Sequence, residues 1–400
     1  MSTSLIALLA LTAVAQPAGE KNATPEQAKK AVERSLPFLR EDGVHWIRDK
    51  QCHSCHHVGF MVWSLNEANR RGFKVDMDEL KASSEWAVQY ASYNAVFYQI
   101  KDPTLNAVKK AGLADEKVNK LKDIKQVFAT ASEFRSYLTP ALTKDVLAQH
   151  EDLIFKSAAL PGQGGKGEDA DPKGARGPGT VASELLLAGA PGLTKDKGEA
   201  TKALIQRLVT TQQKDGSWKH GGQYDALNRP AQESTEVVTA WNALALIDYD
   251  DLPEPAAKTR AQALAYLKNS KTGVSTEWYV AQTLVAWSVK DTERAEALLK
   301  ELRTQQLPDG GWSWLKANKQ SDAWATGMAL YALGRSGADN SDPAVTKAWS
   351  FLVKTQLDGG DWLVSTGPIR KGGAKKSTDP IFSYWGTGWA AIGIMQTLPK

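Results

Sequence analysis

Hydrophobic positions recur along this chain with helical spacing, in stretches of two alternating kinds. The first kind is amphipathic, with Lys, Arg or Gln on one face, as in "ATKALIQRLV" (200–209) and "AVTKAWSFLV" (344–353). The second is apolar nearly all round, as in "VVTAWNALALI" (237–247). A helix with one polar face belongs at a surface, whereas one that is apolar on every side must be enclosed by others. The alternation predicts helix pairs, each with a solvent-facing outer member and a buried inner one. Further helices are predicted over 76–100 and 115–135, with another inner helix near Thr180, at "TVASELLLAGA". The Gly- and Pro-rich stretch 159–180 reads as a long loop.

The turns between paired helices repeat. "TQQKDGSWKHGG" (211–222), "TQQLPDGGWSW" (304–314) and "TQLDGGDWLVSTG" (355–367) each follow an amphipathic stretch and lead into an apolar one. The Gln ends the first helix, Asp-Gly makes the turn, and the Trp folds back beneath it. Trp312 and Trp362 stand 50 residues apart, while Trp218 and Trp312 stand 94 apart. The longer gap leaves room for one repeat with a degenerate turn, "KNSKTGVSTEW" (268–278). A period near 47 with two helices per unit predicts an α/α array, closed if five or six pairs are present. Ser234, Ser275, Ser321 and Ser383 each stand five residues before Thr239, Val280, Thr326 and Gly388, and are read as inner-helix N-caps. Ser54 stands five residues before Gly59 in the same register. On that reading "FLREDGVHWIRDKQCHSCHHVGFMVWSLNEA" is a first repeat, with its turn at Asp42-Gly43.

These Gln…Asp-Gly-x-Trp turns resemble the QW-type repeats of the squalene/oxidosqualene cyclase and protein prenyltransferase superfamily. The resemblance implies an all-α fold, an α/α toroid formed as a single domain over about 25–400. It is strongest over about 195–400. It also implies a hydrophobic small-molecule ligand, an isoprenoid or lipid. Cyclases of this kind protonate substrate through an Asp-x-Asp-Asp-Thr motif. Asp248-Tyr249-Asp250-Asp251 looks similar but follows an inner helix, which puts it at the opposite rim. At the position equivalent to the family's motif, Glu233 and Thr235 remain. Glu233, Glu236 and Asp322 are the candidate acids, and Glu236, Glu277 and Asp322 are also placed to interact with helix dipoles.

The chemistry that the repeats do not explain is concentrated in "QCHSCHHVGF" (51–60), which holds both cysteines and three of the six histidines. Cys52-x-x-Cys55-His56 is the pattern for covalent haem c, with two thiols for the vinyl groups and an adjacent imidazole for the iron. Zinc held by Cys52, Cys55 and His53, His56 or His57 is a second reading, and a Cys52–Cys55 disulfide is a third. His220, Met61 and Met77 are candidates for a sixth iron ligand. Trp278, Trp324, Trp385 and Tyr384 are expected in the first turns of inner helices, where they would line a cavity.

Composition narrows the choice. The chain carries 14 Trp against 9 Phe and 10 Tyr, a surplus that the repeated turns account for in part. A net charge of +4, with the basic residues interspersed among acids, lacks the basic stripe that nucleic-acid binding requires. Residues 1–15 read as a signal peptide, with Leu5–Ala15 apolar and a small-x-small site ending at Ala15. The expectation is export to a periplasmic or extracellular compartment. No other stretch is apolar enough to span a membrane, which leaves peripheral contact as the available mode.

Overall fold

The structure, a computed structural model, describes residues 22–50, 57–88, 181–189, 199–220, 227–249, 252–270, 273–365 and 379–399. The expected signal peptide, the 115–135 helix and the 159–180 loop lie outside the described residues, as do Cys52, His53, Ser54, Cys55 and His56. We label the helices α1 (Pro25–His45), α2 (Gly59–Arg70), α3 (Val181–Ala188), α4 (Glu199–Thr211), α5 (Ala231–Ile247) and α6 (Glu254–Lys268). They continue as α7 (Thr276–Ser288), α8 (Thr292–Thr304), α9 (Ala323–Arg335), α10 (Pro343–Thr355) and α11 (Asp379–Thr397). Residues 77–88 are also helical.

The packing order is α2–α3–α5–α7–α9–α11, and α11 returns to α2. These six inner helices form a closed ring. The outer helices lie around it, with α4 on α3, α6 on α5, α8 on α7 and α9, and α10 on α9 and α11. Outer helix α1 packs on α2, α11 and α10, joining the start of the chain to its end. The fold is the α/α toroid that the alternation of patterns predicts. Among the described residues, no helix is long and apolar enough to cross a membrane.

One turn module builds the ring three times. Trp218, Trp312 and Trp362 each donate Nε1–H to a carbonyl ten residues back, on Leu208 (3.0 Å), Leu302 (2.7 Å) and Leu352 (2.8 Å). Their backbone N–H groups donate to hydroxyls on the following inner helix: Thr239, Thr326 and Thr387. Gln212, Gln306 and Gln356 bond their own turn at Gly216, Gly310 and Gly360. The same amides reach the next outer helix at Thr259, Ala344 and Ala31. The three turn glycines have φ of +89°, +92° and +85° and lie against backbone carbonyls of Gln262, Lys347 and Arg34. Both their conformation and their neighbours exclude a side chain. Each repeat is thereby fastened to the next.

The structure corrects the expected first turn. Asp42 and Gly43 lie inside α1, which starts at a capping box on Thr24 and Gln27 and runs to His45 before a π-helical turn, Trp46–Lys50. The residue six before Trp46 is Arg40, so the glutamine that ties the other turns is missing. Gly43 serves contact instead: a methyl there would come within 2.5 Å of the Met61 sulfur. Met61 is thus packed against an outer helix.

The serine register also needs correction. Ser275 caps α7, accepting from Trp278 N–H. Asp322, not Ser321, caps α9. Ser234 and Ser383 lie inside α5 and α11, where the hydroxyls accept from Arg229 and from Val364 N–H. They mark the same level of the ring while their helices begin earlier.

Candidate functional site

All inner helices point their N-termini to one mouth. Below it the lumen is filled by aromatic side chains. Trp241 on α5 and Trp389 on α11, helices opposite one another in the packing order, meet with ring centroids 5.6 Å apart. Trp63 packs edge-on to Trp241, Trp389 and Tyr331 at 6.5, 5.4 and 5.9 Å. Nearer the mouth, Trp324 packs on Trp314, Phe382 and Trp385, and Trp385 packs on Phe60.

The carboxylates expected at the mouth are there, and each has partners. Glu233 on α5 accepts from the backbone N–H of Val274 (2.8 Å) and Ser275 (2.9 Å) and from the Ser275 hydroxyl. Glu236 accepts from Trp278 Nε1 at 2.7 Å and from Gln232 at 3.2 Å. Glu277 accepts from Arg229 at 2.7 Å and from Trp241 Nε1 at 3.2 Å. These bonds stitch α5 to α7. Burial raises the Glu277 carboxyl above its usual range against the opposing pull of Arg229. Arg229 also lies over Trp314 at 5.2 Å, so the buried cation is enclosed by an ion pair and a π face.

Asp322 accepts from Ala325 N–H at 2.7 Å and Trp314 N–H at 2.9 Å. Although the residue keeps some exposed surface, crowding around its carboxyl pushes its pKa up to about 6, against those backbone donors. A carboxyl with a pKa of about 6 is suited to proton transfer near neutrality.

The chain leaves the Cys/His motif at His57, which is 3% exposed and stands two residues before the start of α2 in the ring. His57 stacks on Trp46 at 4.7 Å and packs at a tilt against Tyr384 at 4.1 Å. Its Nε2 lies 3.0 Å from Asp42 Oδ2. Burial lowers the imidazole pKa, and Asp42 opposes that shift. Tyr384 donates to the Leu39 carbonyl at 2.7 Å and so faces α1. Trp278 is drawn to Glu236, which leaves Trp324 and Trp385 as the members of the expected aromatic set in the inner layer. Asp248 ends α5 at the far rim, away from the mouth.

Besides Arg229, an acid at the mouth is not singled out by the sequence. Glu184 lies in the first turn of α3, 1% exposed, with neither carboxyl oxygen hydrogen-bonded. Burial pushes its pKa well above the carboxylate range. Its sequence signal was a lone acid in the otherwise apolar "VASELLLA". Among the described residues no three His, Cys, Asp or Glu side chains gather as a metal site.

No protein-family model matches the chain. Over 116 residues it is 28% identical to a squalene–hopene cyclase of Alicyclobacillus acidocaldarius subsp. acidocaldarius. The match covers 28% of this chain and 18% of that protein's length. Together with the all-helical ring, this similarity supports a place in a cyclase-like superfamily.

Proposed function

We propose that the protein is an exported toroid of cyclase- and prenyltransferase-like build that carries covalent haem c at one mouth. Cys52 and Cys55 would hold the porphyrin and His56 the iron. At the same mouth, above the aromatic filling of the lumen, the protein would take a hydrophobic ligand, an isoprenoid or lipid. When bound, the haem supplies one-electron transfer. The observation that carries this reading is the anchoring of His57. The residue after the Cys-x-x-Cys-His motif is fixed at the ring mouth by Trp46, Tyr384 and Asp42. Two thiols and an imidazole are the donor set that haem c requires, and the π-helical turn before the motif is a distortion frequent at functional sites. Zinc in place of haem is the alternative occupant.

Expression in a host able to attach haem c tests the proposal. The expected result is a c-type reduced spectrum that resists acid extraction and disappears with Cys52→Ala. Colourless protein with stoichiometric zinc would overturn it.

A second reading, a terpenoid- or lipid-modifying enzyme, draws on the raised pKa of Asp322. Glu233 and Glu236 would assist it from α5. Squalene turnover that survives Cys52→Ala and vanishes with Asp322→Asn would favour this reading over the first.

A further inference from the structure

Two buried polar groups at the mouth stand without hydrogen-bond partners. One is the carboxyl of Glu184, near the start of α3; the other is the indole nitrogen of Trp324, the second residue of α9, itself 4% exposed. In the packing order α3 and α9 are three steps apart either way, on opposite sides of the ring. A run of packed side chains joins them. The Glu184 carboxyl lies against Gly59, where a methyl would stand 2.5 and 2.7 Å from its two oxygens. Phe60 follows Gly59, packs on Trp385 at 6.5 Å, and Trp385 packs on Trp324 at 5.0 Å.

Leaving such groups unpaired is costly, and each calls for an explanation. Among the described residues no cation lies alongside it, and burial pushes the Glu184 carboxyl well above the ordinary carboxylate range, which favours the protonated, hydrogen-donating form. An indole nitrogen is only ever a donor. The complementary ligand therefore carries neutral acceptor oxygens on an apolar frame. A hydrocarbon would leave both donors unsatisfied. A diphosphate would meet Glu233, Glu236, Glu277 and Asp322 at the same mouth, where the buried Arg229 is already bonded to Glu277.

We propose that this mouth binds a quinone, whose carbonyl oxygens accept from Glu184 and from Trp324 Nε1 and whose ring packs on Phe60 and Trp385. Isoprenoid quinones combine that head group with an apolar tail. The inference rests on the hydrophobic-ligand half of the proposed function and is independent of the haem.

Calorimetric titration with ubiquinone-1, a short-chain soluble quinone, tests it. Wild-type protein is expected to bind. Glu184→Gln, which keeps an N–H donor, is expected to stay within about threefold of wild type. Glu184→Leu and Trp324→Phe are each expected to weaken binding about tenfold, with thermal melts confirming that both fold. Squalene is expected to bind both variants no worse than wild type. Retained affinity in a Cys52→Ala/Cys55→Ala protein supports the site even if the haem reading fails. Absence of wild-type binding, or equal affinity in wild type, Glu184→Leu and Trp324→Phe, overturns the proposal.

Discussion

Gln356 donates from Nε2 to the Ala31 carbonyl at 2.8 Å, a bond between residues 325 positions apart. It is the last use of a bond made within the ring by Gln212 and Gln306, and here it closes the circle. Replacing Gln356 by Ala deletes this bond and the 2.9 Å bond to Gly360, at a cost of about 2 kcal/mol. Gln306→Ala is expected to cost a similar amount by urea unfolding. Only Gln356→Ala should also release α1 to limited proteolysis, because α1 is the helix held by that bond. Equal protease resistance of α1 in both variants would rule out this closure role.

Gly360 and Gly72 separate conformation from contact. Both have positive φ, +85° and +78°, but a methyl at Gly72 meets open space while one at Gly360 meets the Arg34 backbone. Gly72→Ala is expected to cost about 1 kcal/mol and Gly360→Ala at least twice that. Denaturation midpoints measure the difference, and equal costs would contradict the packing described.

Helices α9 and α11 approach so closely that a methyl at Gly327 would strike the backbone of Trp389 and Ala390. Alanine would gain about 1 kcal/mol of helix propensity there, yet overpacking costs about 1–3 kcal/mol or more. Gly327→Ala is therefore expected to destabilise on balance. A higher melting temperature would show that the two helices can separate without loss.

Glu184 and Asp322 make stability depend on pH in a definite sense. Both have folded-state pKa values above their ordinary ones of 4.5 and 3.8, so the folded protein holds protons that the unfolded chain releases. Their contribution is fully present below those ordinary values and is lost as pH rises. For Asp322 the loss falls between about 4 and about 6, and for Glu184 it begins near its ordinary 4.5 and extends well above it. The melting temperature of Glu184→Gln relative to wild type should therefore increase from pH 4 to pH 8. A difference that stays constant with pH would show Glu184 to be ordinary.

The parts of the fold that were legible in the sequence are those carried by local chemistry. The Gln, Gly and Trp of each turn act on atoms within ten residues or on the adjacent helix, so their spacing identifies them. The Asp42-Gly43 pair misled because the same dipeptide suits a turn or a close helix contact, and only Arg40 in the glutamine's place distinguishes the two. The site was less legible. Glu233, Glu236 and Glu277 bond across neighbouring inner helices, at separations that sequence periodicity does not address. Glu184 carries no motif; its identity as an outlier depends on what surrounds it.

The contact of Trp241 with Trp389 gives this architecture a floor. With rings from opposing helices meeting at mid-depth, the described residues form a plugged ring and not a tube. Whatever enters by the rim that gathers His57, Glu184 and Asp322 must leave by the same door, so arrival and departure cannot proceed at once.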